Sequence, residues 1–169
     1  SPSGSALKSA VMAQRALAER LFATLAEGSQ GNPGIMRDTF GPGENFAHGV
    51  LTDFAAKAGL AVSKDFAANT YVTWRGSEPS APRILMGSHL DSVPHGGNFD
   101  GAAGVIAGLV VIEALRSLGV HPRRDVTVMG VRAEESVWFQ VSYIGSRSAL
   151  GRLPDGALEA KRIDNGKSL

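Results

Sequence analysis

Three short clusters in this chain carry the residue types that hold metal ions and move protons. The first is Gly87-Ser88-His89-Leu90-Asp91-Ser92. His89 and Asp91 are two positions apart, so in an extended segment they face the same side. A carboxylate beside an imidazole can fix the ring's tautomer while the other ring nitrogen binds a metal. The second cluster is Gly96-Gly97-Asn98-Phe99-Asp100-Gly101. It sets a carboxylate just ahead of an apolar helical stretch, among glycines that open backbone conformations other residues avoid. The third is Arg132-Ala133-Glu134-Glu135-Ser136. Adjacent glutamates near a strand end project in different directions, so one can bind metal while the other faces a reacting water.

Composition narrows what such a set can be. The chain has no cysteine, which excludes disulfides, thiol nucleophiles and zinc–thiolate sites. A metal here must be held by His, Asp and Glu, as in catalytic or oxygen-rich sites. Only four histidines exist: His48, His89, His95 and His121. Lys plus Arg number 17 against 16 Asp plus Glu, a formal net charge of +1. That balance gives no electrostatic reason to expect nucleic acid or an anionic membrane. With 169 residues, 43% hydrophobic and 20% charged, the chain reads as one globular domain long enough to bury a core. Its most apolar stretch, Ala102 to Ile112, stops at Glu113, far short of the ~20 residues of a membrane span. Lys8, Arg15, Glu19 and Arg20 interrupt the N-terminal apolar pattern, unlike a signal peptide. The expectation is a soluble cytoplasmic protein with a small-molecule substrate.

The elements that must position the clusters follow from periodicity and punctuation. Residues 6–27 show helical spacing of Leu7, Val11, Leu17, Leu21, Phe22 and Leu25, ended by a Gly/Pro/Asn run. A second helix is expected from Glu44 to Ala58, stopped by Gly59. Leu60 to Phe66 and Thr70 to Arg75 read as strands, joined by a turn in which Asn69 can take positive φ. Arg83 to Ser88 is a further strand, Gly101 to Leu118 a long apolar helix, and Asp125 to Val131 a strand rich in Val and Thr. A short helix is expected over Ser146 to Leu150. Strand, helix, strand is a βαβ unit, so the fold class is α/β, with a mixed sheet and flanking helices. Active sites in open α/β sheets gather at the carboxyl ends of strands. Two strand ends and one helix start therefore deliver His89, Asp91, Asp100, Glu134 and Glu135 to one rim.

Each residue also has a plainer reading. A lone His89 would be a satisfied core histidine, and a lone Glu134–Glu135 pair a solvated surface. It is their order together that favours a metal site. His95 lies in a Pro/Gly loop beside the clusters and is a candidate for a supporting role or a substrate contact. His48 and His121 read as structural or exposed, and Tyr71, Trp74, Trp138 and Phe139 as packing. Gly97, Gly101 and Gly104 do not make a G-x-G-x-x-G loop. Gly145-Ser146-Arg147-Ser148 lacks the G-x-S-x-G elbow of a serine hydrolase.

The run GSHLDSVPHGGNFDGAAG, followed downstream by RAEES, resembles the M20 metallopeptidase family. It is most similar to the branch of N-carbamoyl-L-amino-acid hydrolases, β-ureidopropionases and allantoate amidohydrolases. RDTFGPGENFAHGVL and SYIGSRSALG look like the same branch, so the resemblance runs over residues 6–160. It implies that His89 ligates one metal, that Asp91 orients His89, and that Asp100 bridges two metals across an Asp100–Gly101 peptide that is often cis. It implies Glu135 as ligand of the second metal and Glu134 as the general base for the water shared by the ions. The implied cofactors are two divalent ions, zinc foremost, with manganese, cobalt or nickel as substitutes. The implied activity is hydrolysis of a linear C–N amide in an N-carbamoyl amino acid or related ureido acid. An M20 aminoacylase or dipeptidase would use the same residues, and a truncated non-catalytic module is a third reading. The resemblance places residues 1–169 as the N-terminal part of an M20-type catalytic domain, without the lid or dimerisation domain and without two further histidine ligands. The 169 residues alone are then expected to be inactive, and the complete protein to be a homodimer. Ser136 stands where the family often has Gly, and Val137-Trp138-Phe139 is unusual there.

Overall fold

The computed structural model describes residues 2–169. Its centre is a four-stranded mixed sheet of β1 (Ala61–Lys64), β2 (Thr70–Trp74), β3 (Ile84–His89) and β4 (Val126–Val131), in the order β1-β2-β4-β3. β1 and β2 form the antiparallel hairpin read from the sequence, β2 pairs antiparallel with β4, and β3 pairs parallel with β4. Helix α4, here Ala102–Ser117, is the crossover of the expected βαβ unit. β4 is buried at every position, which explains its unbroken Val-Thr-Val-Met-Gly-Val run. In the β3–β4 register His89 lies opposite Val131. The last residue of β3 thus stands abreast of the residue that leads into Arg132-Ala133-Glu134-Glu135.

Three helices cover the sheet with α4: α1 (Gly4–Ala13), α2 (Arg15–Gly28) and α3 (Pro42–Ala58). The single helix expected over residues 6–27 is two, broken at Gln14 with φ −87° and ψ 5°. No breaker residue sits there. The bend is tertiary: α1 packs on α4, while α2 packs against both α3 and α4. α3 opens with Pro42 at its first turn, where a missing N–H costs nothing, and Gly59 ends it in the left-handed conformation at φ 66°. Between these layers lies the main core, which includes Leu25, Leu51, Val72, Leu90, Ile106, Leu109, Ile112 and Val128. α4 sits very close to the sheet. A Cβ at Gly108 would come within 2.8 Å of Val128, so a small residue is required at that contact.

The β1–β2 turn differs in one respect from its sequence reading. Ala68, not Asn69, takes the positive φ, at 62°. Asn69 is fully buried and uses its side chain elsewhere: Nδ2 donates to Asp65 and to the Gly145 carbonyl, and Oδ1 accepts the Arg132 backbone N–H at 2.9 Å. A smaller core forms where the chain leaves β4, from Ala133, Trp138, Phe139 and Ile144. It seats the short helix α5, which spans Ile144–Ala149. Trp138 and Phe139 are thus packing residues, as expected. Among the described residues, no helix is long and apolar enough to cross a membrane.

Candidate metal centre

His89 ends β3 and turns its ring toward the residues that follow. Its Nδ1 lies 3.0 Å from the Asp91 carbonyl oxygen and 3.3 Å from Asp91 Oδ1. Both partners are acceptors, so Nδ1 carries a proton and Nε2 is the nitrogen left to face the site. Nε2 lies 4.0 Å from Asp100 Oδ1. Burial pulls the ring's pKa down, but the hydrogen bonds and charge of Asp91 outweigh it and lift it to about 9. In the metal-free protein Nε2 therefore also holds a proton, which a metal would have to displace.

Asp91 is fully buried. Its Oδ1 accepts the Glu134 backbone N–H at 3.1 Å. Its Oδ2 accepts the Glu135 N–H at 3.0 Å and the Thr39 hydroxyl at 2.8 Å. Burial pushes this carboxyl upward, but His89, the two amides and Thr39 together hold it below the usual range. One carboxylate thus orients the imidazole and also pins the loop that carries both glutamates.

Asp100 precedes a tight reversal. Gly101 has φ 65° and ψ −54°, and the Ala102 N–H donates to the Asp100 carbonyl at 2.6 Å. That is a γ-turn, a geometry open to glycine and strained elsewhere. A Cβ at Gly101 would fall 2.5 Å from the His89 carbonyl oxygen. The Asp100–Gly101 peptide is trans, contrary to what the family resemblance implied. Among the described residues the cis bond is Asn32–Pro33. The positive φ of Gly101 makes the reversal instead.

Ala133, at φ 54°, turns the chain out of β4 ahead of the two glutamates, whose side chains then take different partners. Glu135 turns inward. A ligand atom from each of His89, Asp100 and Glu135 lies within 4.8 Å of the others. Burial raises the Glu135 pKa, with His89 opposing and Asp91 and Asp100 adding to the rise. Glu134 turns toward α5, where its Oε1 accepts the Ser146 backbone N–H at 3.0 Å. His89, Glu134, Glu135, Ser88, Tyr143 and Ser146 line an open recess of about 380 Å³.

The other histidines stay outside this cluster. His95 is exposed at φ 56°, and its Nδ1 lies 2.8 Å from the Pro33 carbonyl oxygen. His48 is buried against Thr70, and burial, then Arg132, pushes its pKa down to about 3. His121 is exposed.

One supporting residue was not singled out from the sequence. Glu44, in the first turn of α3, is fully buried. Its Oε1 accepts the Ala133 N–H at 2.8 Å, and its Oε2 accepts from Phe40 N–H at 2.6 Å and Arg132 at 3.1 Å. Burial, then Asp91, lifts its pKa to about 7 against the pull of Arg132. It lies inside the phrase RDTFGPGENFAHGVL, but a glutamate at a helix start reads from sequence as an exposed cap.

Nitrogen and oxygen donors converging from a strand end, a helix start and a loop suit a divalent ion of the zinc or manganese type. The set offers one ion three ligands.

Comparison with known proteins bears on what this arrangement belongs to. The model of peptidase family M28 matches residues 69–163, a span that contains all five candidate residues. An N-carbamoyl-L-amino acid amidohydrolase of Geobacillus stearothermophilus is 38% identical over 85% of this chain and 36% of its own length. An Arabidopsis thaliana ureidoglycolate hydrolase is 32% identical over 71% of this chain and 25% of its own. The crystal structure of a hydantoinase/carbamoylase family amidase from Burkholderia ambifaria superposes with a TM-score of 0.79 at 30% identity, over 89% of this chain and 38% of that one. The chain thus spans about a quarter to two-fifths of the length of these relatives. The relatives carry the carbamoylase resemblance, while the matching model bears the name M28 rather than M20. Since that model covers more than half of its 169 residues, the chain belongs to peptidase family M28.

Proposed function

We propose that this chain is the metal-holding part of a hydrolase that cleaves the linear C–N amide of an N-carbamoyl amino acid or related ureido acid. The observation that carries the reading is the convergence of His89, Asp100 and Glu135 within 4.8 Å, with Glu134 on the same recess. The similarity to an N-carbamoyl-L-amino acid amidohydrolase and a ureidoglycolate hydrolase supports the substrate class and the carbamoylase branch. The complete protein would add the remaining ligands and the groups that read the substrate.

His89, Asp100 and Glu135 would hold the ions. Divalent ions such as zinc, manganese, cobalt or nickel, when bound, polarise the scissile carbonyl and lower the pKa of water. Asp91 keeps the Nδ1 proton of His89 in place, which leaves Nε2 as the donor atom. Glu134 lines the recess and has one carboxylate oxygen held by Ser146 N–H, which leaves its other oxygen free to act as the base. The Glu134 carboxylate takes a proton from the attacking water and delivers it to the departing nitrogen.

A second reading is an aminoacylase or dipeptidase, and the peptidase name of the matching family favours the dipeptidase side of it. The same residues would serve it. Assaying the complete protein against N-carbamoyl amino acids, N-acyl amino acids and dipeptides separates the two. Turnover of the N-carbamoyl set that disappears with a chelator and returns with added metal is the expected result. Turnover of dipeptides alone would replace the first reading by the second.

A further inference from the structure

Arg37 lies in the loop between α2 and α3, and its side chain is fully buried. Its backbone is zipped to the segment after β3: Arg37 N–H donates to Ser92 Oγ at 3.0 Å, and Ser92 N–H donates to the Arg37 carbonyl at 2.8 Å. The guanidinium then reaches two separate parts of the metal centre. Nε donates at 2.7 Å to the carbonyl of Leu90, the residue between His89 and Asp91. Nη1 donates to Asn98 Oδ1 at 3.2 Å, and Nη2 donates to the carbonyls of Asn98 at 3.3 Å and Asp100 at 3.2 Å. Asn98 is tied back in turn, since its Nδ2 donates to the Phe22 carbonyl of α2 at 2.9 Å.

No carboxylate forms a salt bridge with Arg37 among the described residues. The direct hydrogen-bond partners of its guanidinium are all carbonyl oxygens, and the Asp100 and Asp91 carboxylates offset only part of the effect of burial, so the cation is costly for the fold. Its position is explained by what it spans. β3 delivers His89, whereas Asp100 arrives on a glycine-rich loop that leaves the sheet and returns. Nothing in β-sheet pairing fixes the distance between them. The planar fork of an arginine can hold carbonyls on both sides at once, and a lysine ammonium cannot reproduce that geometry.

We infer that Arg37 is a positioning residue of the metal centre: it clamps the Asn98–Asp100 segment against Leu90, so that the Asp100 carboxylate stays at the His89 ring. The inference rests on the reading that His89 and Asp100 hold a metal, and it acts through their placement alone.

The test uses the complete protein with Arg37→Lys and Arg37→Met. Zinc affinity is measured by chelator competition, the cobalt absorption spectrum reports ligand geometry, and metal-free melting reports the fold. Arg37→Lys is expected to keep a cooperative metal-free melt while zinc affinity falls about 10- to 100-fold, the usual effect of losing a group that orients a ligand. The cobalt spectrum should change with it. Parental zinc affinity and an unchanged cobalt spectrum in a folded Arg37→Lys protein would overturn the inference. Should both Arg37 variants fail to fold, Asn98→Ala removes one acceptor while keeping the arginine. Weakened zinc binding there supports the clamp, and parental binding overturns it. A parent protein that binds no zinc would instead remove the metal reading itself, and this inference with it.

Discussion

The buried carboxylate of Asp91 accepts the backbone N–H of Glu135 at 3.0 Å, so the residue that orients one metal-ligand candidate also holds the backbone of another. The same group takes the N–H of Glu134 and contacts the His89 ring. Replacing Asp91 with Asn keeps the size but turns one acceptor into a donor that faces an N–H or a hydroxyl. We expect zinc affinity to drop tenfold or more. Stability should fall by roughly 2–3 kcal/mol, the scale of a buried polar group left unsatisfied. Calorimetric zinc titration and thermal melting of the metal-free form check both. Parental values in the two experiments would remove Asp91 from its double role.

Glu134 is anchored through an oxygen that an amide can replace, because Ser146 N–H needs only an acceptor. Glu134→Gln should therefore keep the loop and the metal content while turnover of the complete protein falls about 10²- to 10⁴-fold. Metal analysis beside kinetics on the same sample tests this. Activity close to parental would mean that another group moves the proton.

The His89 ring should make metal uptake pH-dependent. Folding raises its pKa from 6.5 to about 9. In the metal-free protein that shift adds stability that is complete below the unfolded value and disappears as pH rises through the folded one. A metal displaces the same proton, so apparent affinity should climb by about tenfold per pH unit and level off near the folded pKa. Zinc competition titrations across that range, with proton release followed alongside, provide the measurement. Affinity that is flat with pH would contradict the assigned protonation.

Glu44 carries a stability dependence of the same sign at lower pH, although here it is the neutral form that the fold favours. Its pKa rises on folding from 4.5 to about 7. Its contribution is complete below the unfolded pKa and diminishes as pH rises through the folded one. Glutamine cannot ionise. Glu44→Gln is therefore expected to gain stability relative to the parent as pH rises from about 5 to about 8, by on the order of 2 kcal/mol. Urea denaturation at the two pH values measures the difference. A gap that stays constant or widens against the variant would show that the Arg132 pair keeps Glu44 ionised throughout.

Much of this architecture was legible in the chain. The β3–α4–β4 unit follows from an apolar strand, a long apolar helix and a Val/Thr strand. Burial at every position explains the β4 run, whereas β3 lies at the sheet edge and leaves Ile84 and Leu85 exposed. Other features left no local trace. The break at Gln14 lies in a run of good helix formers, and across it α1 packs on α4 whereas α2 packs on both α3 and α4. Asn69 looked like a turn residue, yet it is a buried bridge between β2, Arg132 and α5.

For the site itself, the sequence by itself determined the chemistry: no thiols, few histidines, and carboxylates spaced to fall at strand ends and a helix start. Residue type and short-range spacing are enough for that, since side-chain direction in strands and turns is a local property. Only the tertiary structure decided how the pieces are held in register. The Asp91 bonds to the glutamate loop, the Glu44–Arg132 lock and the Arg37 clamp join residues far apart in the chain. Burial then decides their charge states, and burial belongs to the folded molecule rather than to any one stretch of sequence.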